Sequence, residues 1–243
     1  MDKSYKLLAL FYQILSSKIV KIVIAGIYCL LFLALSANAQ ETIEKTQRLI
    51  DGNKEAYHVL KANPQVKQGM YRVRHKNKIV VSGMYDQNKK TGMWHYFDAK
   101  GNLLQNYNYD DHQLNYEAPD SISNFRYIYD HNIKPTDRVT KPVRIGGRYY
   151  GYFPYINLFK SMESLMDIRN LRSVIFEFLI SPGGNLADYK IYLNYLITQK
   201  ILSADITHLS PDDKRFVPAT INYEPVSSRI RITRRVINGE FDF

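Results

Sequence analysis

The sequence lacks the residue patterns that indicate disulfides, metal centres and rigid spacers. Its 243 residues include a single cysteine, Cys29, and six histidines that show no H-x-x-x-H or other metal-ligand spacing. The nine prolines are scattered singly, which excludes a long proline-rich spacer. We therefore predict a chain with no disulfide, no metal and no other cofactor, whose stability comes from packing.

Catalytic motifs are missing as well. The sequence has no G-x-S-x-G, no serine beside a plausible base, and no pair of carboxylates flanked by aromatic residues. The polar triplet Asp110-Asp111-His112 falls at an expected hairpin turn, where an aspartate bonds its own backbone. The pair Asp212-Asp213 follows a proline and is typical of a helix or turn cap. The sequence thus predicts a protein that is not an enzyme.

Long apolar runs are scarce, and the one present lies near the N-terminus. Residues 22–35 are uncharged, four lysines precede them, and an A-x-A site follows at residues 37–39. The run of 14 residues is shorter than the roughly 20 that a membrane-spanning helix needs. We interpret residues 1–39 as a signal peptide that is cleaved before Gln40. A retained inner-membrane anchor, with the chain facing the periplasm, is the alternative.

Charge and export together narrow the expected partners. The chain has a net charge of +10, of which +7 remains without residues 1–39. Nucleic acid, acidic glycans and anionic lipid all attract a basic surface, but export means that nucleic acid is not an expected partner. A mature chain without cysteine suits the bacterial periplasm, which is the predicted location.

An internal repeat follows. The segment QGMY at 68–71 recurs as TGMW at 91–94, and the turn at 76–79 corresponds to the turn at 100–103. Each unit has the pattern strand, turn, strand, so two successive β-hairpins are predicted. The pattern GxWxxFDxxGxLxxxxxY, which starts at Gly92, resembles the MORN-like repeats of exported bacterial proteins.

The aromatic residues of this repeat have two interpretations. A single two-stranded unit cannot bury its own face, so the rings of one hairpin are expected to stack against the next. Flat exposed rings, in contrast, suit the faces of sugars. We predict that the repeat aromatics belong to the core, and binding of a carbohydrate or of a cell-envelope surface is the alternative. These residues are Tyr71, Tyr85, Trp94 and Tyr109.

The C-terminal part of the chain has the pattern of a small α+β layer. Residues 172–193 hold two runs of alternating apolar residues around the turn SPGGN, which predicts a hairpin. Apolar residues recur at helical spacing over 155–166, and one or two short helices are predicted within 195–209. A final strand follows Val226. We expect the order helix, strand, strand, helix, strand.

Three motifs in this part resemble one family. They are YFP at 152–154, an FxIxxxGxLxD-like hairpin that starts at Phe178, and FVPAxxxxxPV at 216–226. Together they resemble the C-terminal domain of TonB-type proteins over residues 151–236. The chain departs from the family at 222–224, where a glycine is usual in the turn. The resemblance implies an α+β fold, in which N-terminal MORN-like β-hairpin repeats precede a three-stranded antiparallel sheet packed on helices.

The resemblance also implies a function. TonB C-terminal domains lie in the periplasm and bind an extended segment of an outer-membrane receptor by adding it as a strand to their sheet. The expected partner is an outer-membrane receptor or another envelope protein, and a role in TonB-dependent transport is left open. The partner-binding residues would lie on the last strand, at Arg229, Arg231, Thr233 and Arg235. The alternatives are charges that only prevent edge-to-edge aggregation and a homodimer formed through the same strand.

The predicted division of the chain runs from signal peptide or anchor through a lead-in segment, the repeats and a linker to the TonB-like domain. The respective bounds are 1–39, 40–63, 64–118, 119–150 and 151–243. Within the linker, residues 125–129 have the alternation of one more strand.

Overall fold

The computed structural model describes residues 41–120, 124–162, 164, 166–167, 170–237 and 240–241, as well as Ile22. The predicted signal peptide therefore lies outside the described residues, with the exception of Ile22, which is helical. Within the described ranges, no helix combines the length and the hydrophobicity that a bilayer crossing requires.

The first half of the described chain forms one antiparallel sheet. Its seven strands follow one another in chain order, each hydrogen-bonded to the next. Residues with positive φ make the tight turns between them, as at Lys76 and at Gln87-Asn88. The strands are Thr42–Arg48 (β1), Asn53–Leu60 (β2), Lys67–His75 (β3), Lys78–Asp86 (β4), Lys89–Phe97 (β5), Leu103–Asn108 (β6) and Gln113–Glu117 (β7).

The two hairpins predicted from the internal repeat are confirmed. They correspond to the antiparallel pairs β3–β4 and β5–β6. The sheet nevertheless begins before the predicted repeat, because β1 and β2 lie in residues that were assigned to a lead-in segment. One face of the sheet is buried, and Val73, Val81, Trp94 and Tyr96 are each at most 1% exposed on it.

The second half is built around a six-stranded sheet. The remaining strands of the chain are Phe125–Tyr129 (β8), Val139–Thr140 (β9), Val143–Arg144 (β10), Leu171–Ile180 (β11), Leu186–Tyr195 (β12), Gln199–Ser203 (β13), Phe216–Val217 (β14), Ala219–Ile221 (β15), Glu224–Val226 (β16), Ser228–Ile237 (β17) and Glu240–Phe241 (β18). β13, β12, β11 and β17 lie side by side in that order, and β17 also pairs with β8 and β18. The predicted C-terminal hairpin is confirmed, since β11 pairs with β12 in antiparallel register.

The predicted fold class is wrong. Of the described residues, 56% lie in strands and 11% in helices, and Phe153–Ser161 (α1) is the one α-helix whose bounds fall among those after residue 40. The C-terminal sheet is therefore not a three-stranded sheet packed on helices. Tyr155 and Phe159 of α1 cover its inner face, at 4.8 Å from Phe178 and 5.1 Å from Phe176 between ring centroids.

The missing second helix has a local explanation. Residues 195–209 were predicted to be helical because their apolar residues fit a spacing of three and four. A short apolar run also satisfies the period of a strand, and Ile201 and Leu202 lie on β13, which pairs with β12. After β13 the chain continues in turns up to the short 3-10 helix at Asp212–Lys214. The apolar residues fit both the helical and the strand period, and pairing with β12 stabilises the strand.

Residues 119–150, which were predicted to be a linker, contribute to several sheets. β8 joins the six-stranded sheet, β9 pairs with β15, and β10 pairs with β14. These three pairings all join the segment to strands of the C-terminal half, so the segment is part of that half of the fold and is not a free linker.

The chain after β10 docks on the seven-stranded sheet through one buried amide. The side chain of Gln105 on β6 is fully buried and donates a hydrogen bond of 3.0 Å to the carbonyl of Arg144. Its Oε1 accepts hydrogen bonds from the amides of Gly146 at 2.8 Å and Gly147 at 3.1 Å. The two halves of the protein are therefore held together by specific polar contacts as well as by apolar packing.

Candidate functional site at the edges of the C-terminal sheet

The four residues predicted to bind a partner share one face of β17. Arg229, Arg231, Thr233 and Arg235 alternate along the strand, so their side chains point to the same side of the sheet. Ile230 and Ile232, which alternate with them, are buried in the core on the opposite side. The predicted residues are thus brought together, but on the outer face of the sheet rather than along its rim.

Two of these arginines are held by carboxylates of the same chain. Arg231 donates through Nε to Glu177, which also accepts a hydrogen bond of 2.8 Å from the hydroxyl of Tyr192. The hydrogen bond to Glu177 raises the pKa of Arg231. Arg229 forms an ion pair with Asp130. Part of the charge on this face is therefore compensated within the protein.

The side of β17 that was expected to receive a partner is occupied by the protein itself. Residues 228–232 pair with β11 on one side and with β8 on the other. The amide of Thr233 then donates to the carbonyl of Asn124 at 3.0 Å, and β18 pairs with Val236 and Ile237. The prediction that the last strand offers a free edge is wrong, because β8 already satisfies its backbone.

The six-stranded sheet instead ends in β8 and β18, both paired with β17, on one side and in β13 on the other. The outer side of β8 is flanked by its own chain. The hydroxyl of Tyr127 donates to Asp120 at 2.9 Å, and the ammonium group of Lys141 lies 5.5 Å from the same ring. No described strand lies beyond either β8 or β13. The two edges differ in exposure, because only Arg126 is exposed on β8, whereas every residue of β13 except Leu202 is exposed.

Alternate backbone groups of β13 point away from β12. The Tyr195 amide donates to the carbonyl of Thr198 at 2.8 Å, and the amide of Ala204 donates to the carbonyl of Tyr189 at 3.0 Å. Because residues of an antiparallel pair face their neighbour alternately, the even-numbered residues of β13 face β12 and the odd-numbered ones face outward. The outward-facing residues are Gln199, Ile201 and Ser203.

β1, the outer strand of the seven-stranded sheet, is better protected than β13 against pairing with another chain. It is exposed along its whole length and carries Glu44, Lys45 and Arg48, and charges of this kind prevent an edge from pairing with another chain. β13 carries a single charge, Lys200. Next to it, Ile201 is 52% exposed. β13 is therefore the more open of these two edges.

The structure also brings the four repeat aromatics together. The ring of Trp94 lies 5.3 Å from the rings of Tyr71 and Tyr85 and 5.5 Å from the ring of Tyr109. Trp94 is 1% exposed and Tyr71 is 3% exposed, and Ile145 packs in the same core. These two rings are core residues and offer no open face to a sugar.

Two lysines at equivalent positions of the repeat cap this cluster. Lys67 lies 5.1 Å from the ring of Tyr85, and Lys90 lies 5.1 Å from the ring of Trp94. Lys90 also forms an ion pair of 3.1 Å with Asp212. The sequence analysis did not identify either lysine as a partner of the aromatic cluster, although the two lysines occupy equivalent positions in the two repeat units. The second lysine links the repeats to the C-terminal half.

A cavity of about 320 Å³ lies between α1 and the inner face of the six-stranded sheet. Phe176, Phe178 and Ile232 of the sheet line it, together with Phe153 and Ile156 of α1. A cavity of this size is large enough for a small apolar ligand. Its walls are chiefly aromatic and aliphatic, so it can hold an apolar group.

The acidic residues that were considered as chemical sites have structural partners. Asp212 pairs with Lys90, and Asp213 pairs with Arg144. Among the described residues, no group of three or more His, Cys, Asp or Glu side chains is placed to hold a metal ion. What the described surfaces offer is an open strand edge and an apolar cavity, and both are binding features.

No family model, curated protein or solved structure matches this chain. The TonB-like and MORN-like resemblances therefore stay predictions. The geometry of the sheet edges is the basis on which a function can be inferred.

Sequence reasoning did not identify β13 as an edge. The run over Gln199–Ser203 is short and was assigned to a helix, and nothing in its composition marks it as an outer strand. The strand that covers β17 could be recognised in the sequence, because the residues of Phe125–Tyr129 alternate as those of a strand do. That signal did not indicate which strand it would pair with.

Proposed function

We propose that this protein is an exported, non-catalytic binding protein that adds an extended segment of an outer-membrane receptor, or of another envelope protein, to its C-terminal sheet at β13. One observation supports this proposal. β13 pairs with β12 on one side, and the backbone groups of Gln199, Ile201 and Ser203 face outward with no described strand beyond them.

Strand addition is suited to such an edge. The main-chain groups of the added segment supply hydrogen bonds, and alternate side chains select the sequence. Ile201 is half exposed beside these groups, so an apolar residue of the added segment has a surface to pack on. The proposal keeps the mode of binding that the TonB-like motifs imply, and moves it from the last strand to the opposite edge.

Carbohydrate binding through the repeats has less support. It requires exposed rings, and Trp94 and Tyr71 are buried. No specific observation on the described surface favours it.

The proposal is tested by replacing one outward-facing backbone amide. Ile201→Pro removes an N–H group that β12 does not use, and proline is tolerated at such edge positions. A photo-reactive residue at Gln199 then reports what adds to the edge when the full chain is incubated with solubilised outer-membrane proteins. Ile201→Val is the matched control, because it keeps the amide.

The expected cross-link joins Gln199 to an extended, periplasm-facing segment of an outer-membrane protein. A synthetic peptide with the sequence of that segment should bind to the wild-type chain and to Ile201→Val, and should lose binding to Ile201→Pro. A cross-link only to a second copy of the chain, or equal binding of the peptide by the proline variant, would overturn the proposal.

A further inference from the structure

The turn between β12 and β13 carries two exposed aliphatic side chains, Leu196 and Ile197, which we call the aliphatic tip. Leu196 is 71% exposed and Ile197 is 90% exposed. A hydrogen bond of 2.8 Å from the Tyr195 amide to the Thr198 carbonyl closes the turn. Neither side chain therefore contributes to the packing of the sheet to which it is attached.

Other tight turns of the chain are built differently. The β3–β4 turn contains Lys76-Asn77, and the β4–β5 turn contains Gln87-Asn88. Three of these four residues have positive φ, which is the usual chemistry of short hairpins. The aliphatic tip has neither a polar residue nor a positive φ. Leu196 and Ile197 thus depart from the usual chemistry of a hairpin turn without adding to the packing of the sheet. Such a departure indicates that the two residues have a function.

Basic residues lie at the same end of the sheet as the aliphatic tip. Arg172 follows Leu171, which pairs with Tyr195 beside the tip. Lys200 lies on β13, and Arg235 lies on β17 at the same end of the sheet. All three cations are exposed. Residues 170–174, 192–201 and 233–237 at this end of the sheet contain no aspartate or glutamate. The nearest acidic residues along the chain are Asp167, Glu177 and Glu240, the last of which lies on β18 opposite Ile237.

We propose that the aliphatic tip and the basic residues around it dock on the surface of an anionic lipid bilayer. Aliphatic side chains gain free energy when they enter the boundary between headgroups and acyl chains, and nearby cations are attracted to the lipid phosphates. The tip is a convex projection, which a fluid bilayer accepts without a preformed pocket. A protein partner would have to supply a pocket for both side chains.

The membrane contact and the strand addition use different groups. The tip contributes side chains at the turn, whereas the proposed function uses outward backbone groups of Gln199–Ser203. Ile201→Pro is expected to leave the membrane contact unchanged, and a substitution at the tip is expected to leave the backbone edge intact. Failure of one proposal is therefore distinguishable from failure of the other.

A fluorescent label on the tip tests this proposal in the full chain. The chain carries Cys29→Ser, so that Ile197→Cys can be labelled with an environment-sensitive fluorophore. On vesicles of phosphatidylcholine with phosphatidylglycerol we expect a blue shift and quenching by brominated lipid chains. The matched control is Ile133→Cys, a 44% exposed isoleucine outside this end of the sheet. Its label should stay in water even if another part of the chain holds the protein to the vesicle.

Two further substitutions separate the apolar and the charged contributions. Leu196→Ser should weaken the insertion of the label at residue 197 about tenfold, as expected when one large aliphatic side chain is lost from an apolar contact. Arg172→Glu together with Arg235→Glu should abolish the preference for vesicles that contain phosphatidylglycerol. Because all three residues are exposed, circular dichroism should show an unchanged fold.

Two outcomes would overturn the proposal. In the first, the label at residue 197 stays in water on both kinds of vesicle, or inserts equally well in Leu196→Ser. In the second, the blue shift appears without vesicles when the protein concentration is raised, which would assign the tip to a contact between copies of the chain.

Discussion

Gly83 lies against the indole ring of Trp94, and a Cβ atom built on Gly83 would come within 2.2 Å of Cδ2 of that ring. The two residues lie on the paired strands β4 and β5. The ring passes over the glycine and contacts both Tyr71 and Tyr85, whose rings lie 5.5 Å from each other. The absence of a side chain at residue 83 thus makes room for the central ring of the repeat core.

Gly83→Ala should destabilise the protein by about 1–3 kcal/mol, because overpacking forces the indole or the backbone to move. The free energy of unfolding in urea is the measurement. Gly183→Ala is the matched control, since the nearest atom to its Cβ would be Nδ2 of Asn185 at 3.5 Å. Equal stability of the two variants would mean that Trp94 does not pack over Gly83.

Gln105→Leu should be one of the more costly single substitutions in this chain. It leaves the amides of Gly146 and Gly147 and the carbonyl of Arg144 without their buried partner. A buried unsatisfied polar group costs about 1–3 kcal/mol, so we expect a loss of at least that size in urea unfolding. Gln113→Leu on the exposed start of β7 is the control. A loss no greater than that of the control would contradict the docking of this segment on β6.

The stability contribution of Glu117 should depend on pH. Burial raises the pKa of Glu117, although the hydrogen bond from Gln105 and the charge of Lys141 oppose it. A carboxyl group whose pKa is raised by folding contributes its stability when protonated at low pH, and loses it as the pH rises through the raised value.

We therefore expect Glu117→Gln to be more stable than the wild type at about pH 7, and this difference to shrink at about pH 4. Urea midpoints at both values provide the measurement. Glu44→Gln, on the exposed strand β1, should show no such trend. A difference that grows on acidification would contradict the direction of the shift.

The cover on β17 can be loosened with one proline. Asp130 donates to the carbonyl of Ser227, and Thr233 donates to that of Asn124, so the even-numbered residues of β8 face β17. Ile128→Pro removes one such donor and should cost about 2 kcal/mol. The amides of β17 that face β8 should then exchange hydrogen faster, and they should not do so in Ile128→Val. Unchanged exchange in the proline variant would mean that β8 does not cover β17.

The parts of the fold that were predicted correctly are local. The hairpin of β11 and β12 is visible in the sequence because Phe176, Phe178 and Ile180 alternate on one side and a Pro-Gly-Gly turn follows directly. The repeat hairpins are visible for the same reason, since turn residues and alternating apolar residues lie within a few positions of each other. The alternation of apolar residues and the presence of turn residues were sufficient to predict these hairpins.

The parts that were missed depend on contacts between distant residues. The pairing of Arg231 with Arg126 joins positions that are far apart in the chain, and no local pattern selects that partner over another strand. The position of the proposed binding edge follows from this pairing. Because β8 takes one side of the sheet, the open edge moves to Ile201 on the other side.

The most direct test of the proposed function is the hydrogen exchange of β13 in the free, monomeric chain. If its outer side is open, the amides of Gln199, Ile201 and Ser203 should exchange rapidly, while the amide of Leu202, which faces β12, should be protected. Protection of the Ile201 amide equal to that of Leu202 would show that this edge is already covered, and would contradict the proposal that a partner strand adds there.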